Sequence, residues 1–73
     1  MGTIIGIFVD SLNDVQKKYL ARIDNQGDHN FLVATLDFDH ALRFDTIESA
    51  KSNVSSSMIV FYKIDKMGQL LQL

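Results

Sequence analysis

Seventy-three residues with a formal net charge of −2, 47% hydrophobic and 22% charged, suit one small folded domain rather than a disordered tail. The absence of cysteine excludes disulfides, thiolate metal sites and a cysteine nucleophile. No apolar run approaches the roughly 20 residues of a membrane span, and the N-terminus lacks the basic-then-apolar order of a signal peptide, so the chain reads as one cytoplasmic domain over residues 1–73.

Thr3 to Val9 is a dense apolar run (Ile4, Ile5, Ile7, Phe8, Val9) that predicts a central strand buried on both faces, with Gly6 marking a bulge or a close backbone approach. Asp10 to Asp14 reads as a turn. From Val15 to Asp24 the apolar positions Val15, Tyr19, Ala21 and Ile23 alternate with Gln16, Lys18 and Arg22, with Lys17 and Leu20 as the exceptions, which predicts a half-buried strand. Asn25-Gln26-Gly27-Asp28 is a turn whose glycine can adopt positive φ, and Phe31 to Leu36 forms the return strand of a hairpin.

Asp37 to Phe44 either continues that strand or crosses over irregularly. Asp45 is the expected N-cap of a short helix from Thr46 to Asn53, with Glu48 completing a capping-box-like arrangement and Ile47, Ala50 and Val54 forming the buried stripe. Ser55-Ser56-Ser57 connects to a strand from Met58 to Ile64 that is apolar on two faces. Met67 to Leu73 is left as an edge strand, a partner-binding segment or a frayed tail. The order β-β-β-α-β(-β) predicts an α+β fold: an antiparallel or mixed sheet of four to five strands with one short helix, and one sheet face without a helix that is either polar or a partner surface.

Between Asp24 and Glu48, six acids (Asp24, Asp28, Asp37, Asp39, Asp45, Glu48) stand against one base, Arg43, a local charge of −5. Such a segment repels phosphates, which argues against direct nucleic-acid binding and for a basic protein partner. His29, Asp37, Asp39 and His40 are candidate metal ligands, since imidazole and carboxylate together can hold zinc, although structural zinc sites normally draw on more sulfur or nitrogen. No nucleophile elbow or glycine-rich phosphate loop is present, and a domain of this size offers little room for a dry acid–base pocket, so the expectation is a protein that is not an enzyme.

His40-Ala41-Leu42-Arg43-Phe44-Asp45-Thr46-Ile47-Glu48-Ser49-Ala50-Lys51, after a hairpin that opens with Lys18-Tyr19-Leu20-Ala21, resembles a pattern common in very small proteins encoded by bacteriophages and mobile elements. Its marks are an Ala-x-x-Phe strand end, a capped helix with Glu-x-Ala, and a final strand, together spanning Lys18 to Ile64. Some such proteins inhibit host defence, among them anti-CRISPR proteins that take the place of nucleic acid on a nuclease. The resemblance implies an inhibitor in the host cytoplasm, with a basic host protein such as a CRISPR effector nuclease as its partner. The alternatives are a metal-binding module or an assembly protein that self-associates, as a homodimer, through a strand edge or its C-terminal leucines.

Overall fold

Five consecutive buried residues, Ile4–Phe8, form the central strand β1 of the structure, a computed structural model that describes residues 2–73. β1 pairs along its whole length with β4 (Ile59–Ile64), which pairs in turn with the short edge strand β5 (Leu70–Gln72). On its other side β1 meets β2 (Tyr19–Gln26), and β2 pairs with β3 (His29–Thr35). All pairings are antiparallel, in the order β3-β2-β1-β4-β5. Three consecutive strands followed by a fourth that returns beside the first make a Greek key, and the single helix α1 (Ile47–Asn53) lies in the long connection. The predicted α+β class and element order are those of the structure, with the final strand present.

The Gly6 expectation resolves to a close approach. A Cβ on this residue would lie 2.7 Å from Cγ2 of Ile59, a buried side chain of β4. The β2–β3 hairpin closes over a two-residue connection, Gly27-Asp28, in which Gly27 has φ +61°. Glycine at the first position meets the positive-φ demand of such a tight turn.

Three sequence expectations are corrected. The second strand begins at Tyr19, not Val15, and Val15 is fully exposed. Ser11 is the cause: completely buried in a 3₁₀ turn (Val9–Ser11), its hydroxyl donates to the Phe8 carbonyl (2.8 Å) and accepts from the Lys18 N–H (2.9 Å). The loop is thereby closed as far as Lys18, and pairing starts at the next residue. Second, the alternation read through β2 is broken by a bulge between Leu20 and Arg22. Tyr19 packs with Ile5 and Ile7 on one face, whereas Leu20 and Ile23, which strict alternation would separate, both join the opposite face. Third, Thr46 rather than Asp45 caps the helix: Thr46 is extended (φ −136°, ψ 159°) and its hydroxyl accepts from Ser49 N–H (3.1 Å), so the helix starts one residue later than expected, at Ile47.

The crossover from β3 to α1 fills the gap where β1 and β2 part. Leu42 N–H donates to Leu20 O (2.8 Å) on one side, while Ile4 and Phe44 exchange backbone bonds (3.0 and 2.9 Å) on the other. Ala50 and Val54 of the helical side complete a cluster with Ile4, Phe8, Leu20 and Ile59. The helix-free face, expected to be polar or a partner surface, instead carries a second apolar cluster, in which Ala41 and Phe38 cover Ile5 and Ile7 and Tyr62 and Leu70 flank them. Packing on both sides keeps the radius of gyration at 11.8 Å, near the value of about 11 Å for a compact chain of this length.

Two substitutions test this core. Ser11→Ala leaves the Lys18 N–H without its partner and is expected to lower the unfolding free energy by about 1–3 kcal/mol in urea titrations; an unchanged midpoint would show that the loop closes without the hydroxyl. Gly6→Ala forces Ile59 to move and is expected to cost about 1–3 kcal/mol by overpacking. Recovery of the midpoint in Gly6→Ala/Ile59→Ala, relative to Ile59→Ala alone, which lacks the Cγ2 atom in question, identifies that contact as the source.

Candidate protein-interaction surface

The six acids of the −5 segment all lie at solvent, in three local settings. Asp24 is on β2, half-buried, and its Oδ1 accepts from Arg22 Nε (3.0 Å); Asp28 is in the exposed hairpin turn. Asp37 and Asp39 flank Phe38 at a 3₁₀ turn, Phe38–His40. Asp37 Oδ1 accepts from Asp39 N–H (3.0 Å) and Oδ2 lies 3.3 Å from His40 Nδ1, so Asp37 holds the turn together, whereas Asp39 projects without such work. Asp45 and Glu48 are exposed before and within the first turn of α1, where a carboxylate is favoured by the helix dipole.

Arg43, the one base of the segment, is turned inward. Its guanidinium stacks 4.7 Å over the Phe38 ring and donates to the Phe38 carbonyl (3.2 Å). Among the described residues, only Asp24 of the six acids has an arginine or lysine within 4.0 Å, while Asp37 lies beside the His40 imidazole. Asp28, Asp39, Asp45 and Glu48 therefore present their charge to water unopposed.

The four candidate metal ligands divide differently. Asp37, Asp39 and His40 share the 3₁₀ turn, where Asp37 is already engaged by an N–H and by His40, while His29 opens β3 beside the hairpin turn, its ring 6.3 Å from that of Phe31. Among the described residues no group of three or more His, Asp or Glu side chains is placed to hold a metal ion.

A cleft that the sequence does not announce lies elsewhere. Asn30, Phe31 and Leu32 of β3 face Val54, Ser55, Ser56 and Met58 of the α1–β4 connection across an open space of about 370 Å³ floored by Phe8. Phe31 and Met58 are 50% and 55% exposed, a large apolar area for a surface position. Met58 accepts a backbone bond from Val9 N–H (2.8 Å), and Val9 is itself exposed, so the apolar rim extends past the end of β1.

Comparison with protein-family models, with curated proteins and with solved structures finds no match.

Because Asp37 caps its own turn, its substitution separates structure from surface charge. Asp37→Ala is expected to lower stability by about 0.5–2 kcal/mol, while Asp37→Asn, which keeps an accepting oxygen, stays close to the parent. Equal thermal midpoints for the two variants would refute the capping role.

Proposed function

We propose that this chain is a non-catalytic protein-binding domain that occupies a basic, nucleic-acid-binding surface of a partner, as a phage-type inhibitor of a host defence nuclease such as a CRISPR effector would. The observation that supports this reading is the unopposed charge of Asp28, Asp39, Asp45 and Glu48, with Arg43 turned onto Phe38 rather than toward them. Carboxylates left free at the surface accelerate encounter with a basic groove and compete there with phosphate, and the attraction weakens as salt screens it. No bond is made or broken in this mechanism; a groove filled by carboxylates is closed to nucleic acid. The partner belongs to the host cytoplasm on this reading.

The test is inhibition of purified RNA-guided nucleases, scored as cleavage of a DNA target at increasing salt. Inhibition is expected to be relieved by excess guide or target and to fall with ionic strength. The triple variant Asp39→Asn/Asp45→Asn/Glu48→Gln, which leaves the Asp37 cap intact, is expected to weaken it about tenfold, from roughly 0.5 kcal/mol per rim charge. Inhibition indifferent both to salt and to that triple variant would sink the electrostatic mechanism.

A further inference from the structure

β3 is an outer strand of the sheet, and among the described residues its free edge makes no backbone hydrogen bond. Natural sheets blunt such edges with lysine, proline, bulges or a covering element. β3 has none of the first three: its seven residues, His29–Thr35, include no lysine, arginine, carboxylate or proline, and its one register shift with β2 falls on the β2 side. The cleft supplies the rest of the geometry. Successive side chains of a strand point to opposite faces, so a cleft touched by Asn30, Phe31 and Leu32 in a row is met along the strand's edge. The opposite wall is the Val54–Met58 connection and the floor is Phe8. The space beside β3 is thus a slot with hydrogen-bonding groups on one side, an apolar floor at Phe8, and a far wall of Val54 and Met58 with Ser55 and Ser56 between them.

We propose that this slot receives an extended segment of the partner protein, added to the sheet as a sixth strand beside β3, with an apolar residue at its centre over Phe8 and a basic residue at each end. The choice of occupant comes from the charges that bracket the edge. Asp28 precedes β3 by one residue and Asp37 follows it by two, nine positions apart. A second copy of this chain, paired antiparallel with the centre of overlap between Leu32 and Val33, would set Asp28 of each copy opposite Asp37 of the other, placing like charges at both ends. A partner strand with Lys or Arg at both ends meets the same two carboxylates with opposite charge, and main-chain bonds to the edge add affinity irrespective of its other side chains. The proposal rests on the acidic-surface reading for the sign of the partner's charge, and on the edge and cleft for how it docks.

The experiment uses the full chain and a synthetic peptide, Lys-Thr-Val-Thr-Phe-Val-Thr-Val-Thr-Lys, blocked at both termini, followed by amide chemical shifts and hydrogen exchange in heteronuclear NMR. Shifts are expected at residues 29–35 and 54–58, with slowed exchange along β3. Asp28→Asn/Asp37→Asn, which preserves the turn cap, is expected to weaken binding about three- to tenfold, and replacement of both peptide lysines by glutamate to weaken it further. A peptide with proline at alternate threonines, unable to donate its ladder bonds, should not bind. Shifts confined to residues 45–48, or an unperturbed β3 at millimolar peptide, overturn strand addition, and salt-sensitive inhibition would survive that result. A β3 edge that takes the glutamate-ended peptide equally well overturns the basic partner, as does a concentration-dependent dimer whose exchange protection maps to β3. If β3 takes the lysine-ended peptide while inhibition ignores salt and the triple variant, strand addition stands and only the nuclease reading is lost.

Discussion

Ile4–Phe8 has no exposed residue, and a strand buried on both faces must be covered twice by a chain that has one seven-residue helix to spend on it. That constraint organises the molecule. On one face α1 and the inward turn of β2 at Leu20 cover Ile4 and Phe8; on the other, residues outside the sheet and α1, Ala41 and Phe38 with Leu12, close over Ile5 and Ile7. The crossover does this from a fixed position, because Leu42 and Phe44 are bonded to β2 and β1 respectively. Irregular chain acts here as a third layer. It avoids the cost of unsatisfied backbone by entering the sheet's hydrogen-bond network at the two points where β1 and β2 have parted.

The same insertion determines where the surface features fall. β1 and β2 register only at Ile7 and Tyr19, so beyond that point the β2–β3 hairpin is released from the sheet and turned by the bulge at Leu20/Arg22, which sends Ile23 and Leu32 toward the helix-side core. The hairpin does not close against the α1–β4 connection. What remains between them is the slot over Phe8, bordered by the exposed Phe31 and Met58. The acidic residues follow from the same path: the hairpin turn carries Asp28, the crossover carries Asp37, Asp39 and Asp45, and the helix start carries Glu48. Charge and open edge are both by-products of how β1 is covered.

Much of the architecture is legible in the sequence because its signals are local. The unbroken apolar run Ile4–Phe8, the two apolar faces of β4, the glycine of the hairpin turn and the stripe Ile47, Ala50, Val54 each declare an element within a few residues. What is not legible depends on partners far along the chain. Nothing near Val15 says that Ser11 will hold Lys18 and delay β2, and no alternation rule shows a bulge that moves Leu20 and Ile23 to one side. Asp45 is the better cap in isolation, yet Thr46 takes the position, a choice that local cap preference does not make. For the candidate site, the exposure of all six acids was foreseeable, but their employment was not: Asp24 is tied to Arg22 and Asp37 to its own turn, which leaves a smaller free set than composition suggests. The cleft joins residues more than twenty positions apart, so no window of sequence contains it.

An edge strand without lysine or proline is an open template for pairing with another chain, and this chain contains no proline at all. Two means of restraint are visible. β5, the other edge, is only three residues long and is held by a turn in which Asp65 Oδ1 accepts from both Met67 and Gln69 (2.9 and 2.8 Å), so it offers little ladder to a neighbour. β3 is longer, and on the proposed docking its restraint is electrostatic: carboxylates at either end would oppose a second copy of the same strand without blocking the strand itself. Repulsion of that kind discriminates. It leaves the backbone groups of the edge available and makes their use conditional on the charge of whatever approaches, so the feature that would oppose a second copy is also the one that would favour a basic segment. A lysine in the middle of β3 would have prevented self-association just as well, but it would have closed the edge to a basic partner too.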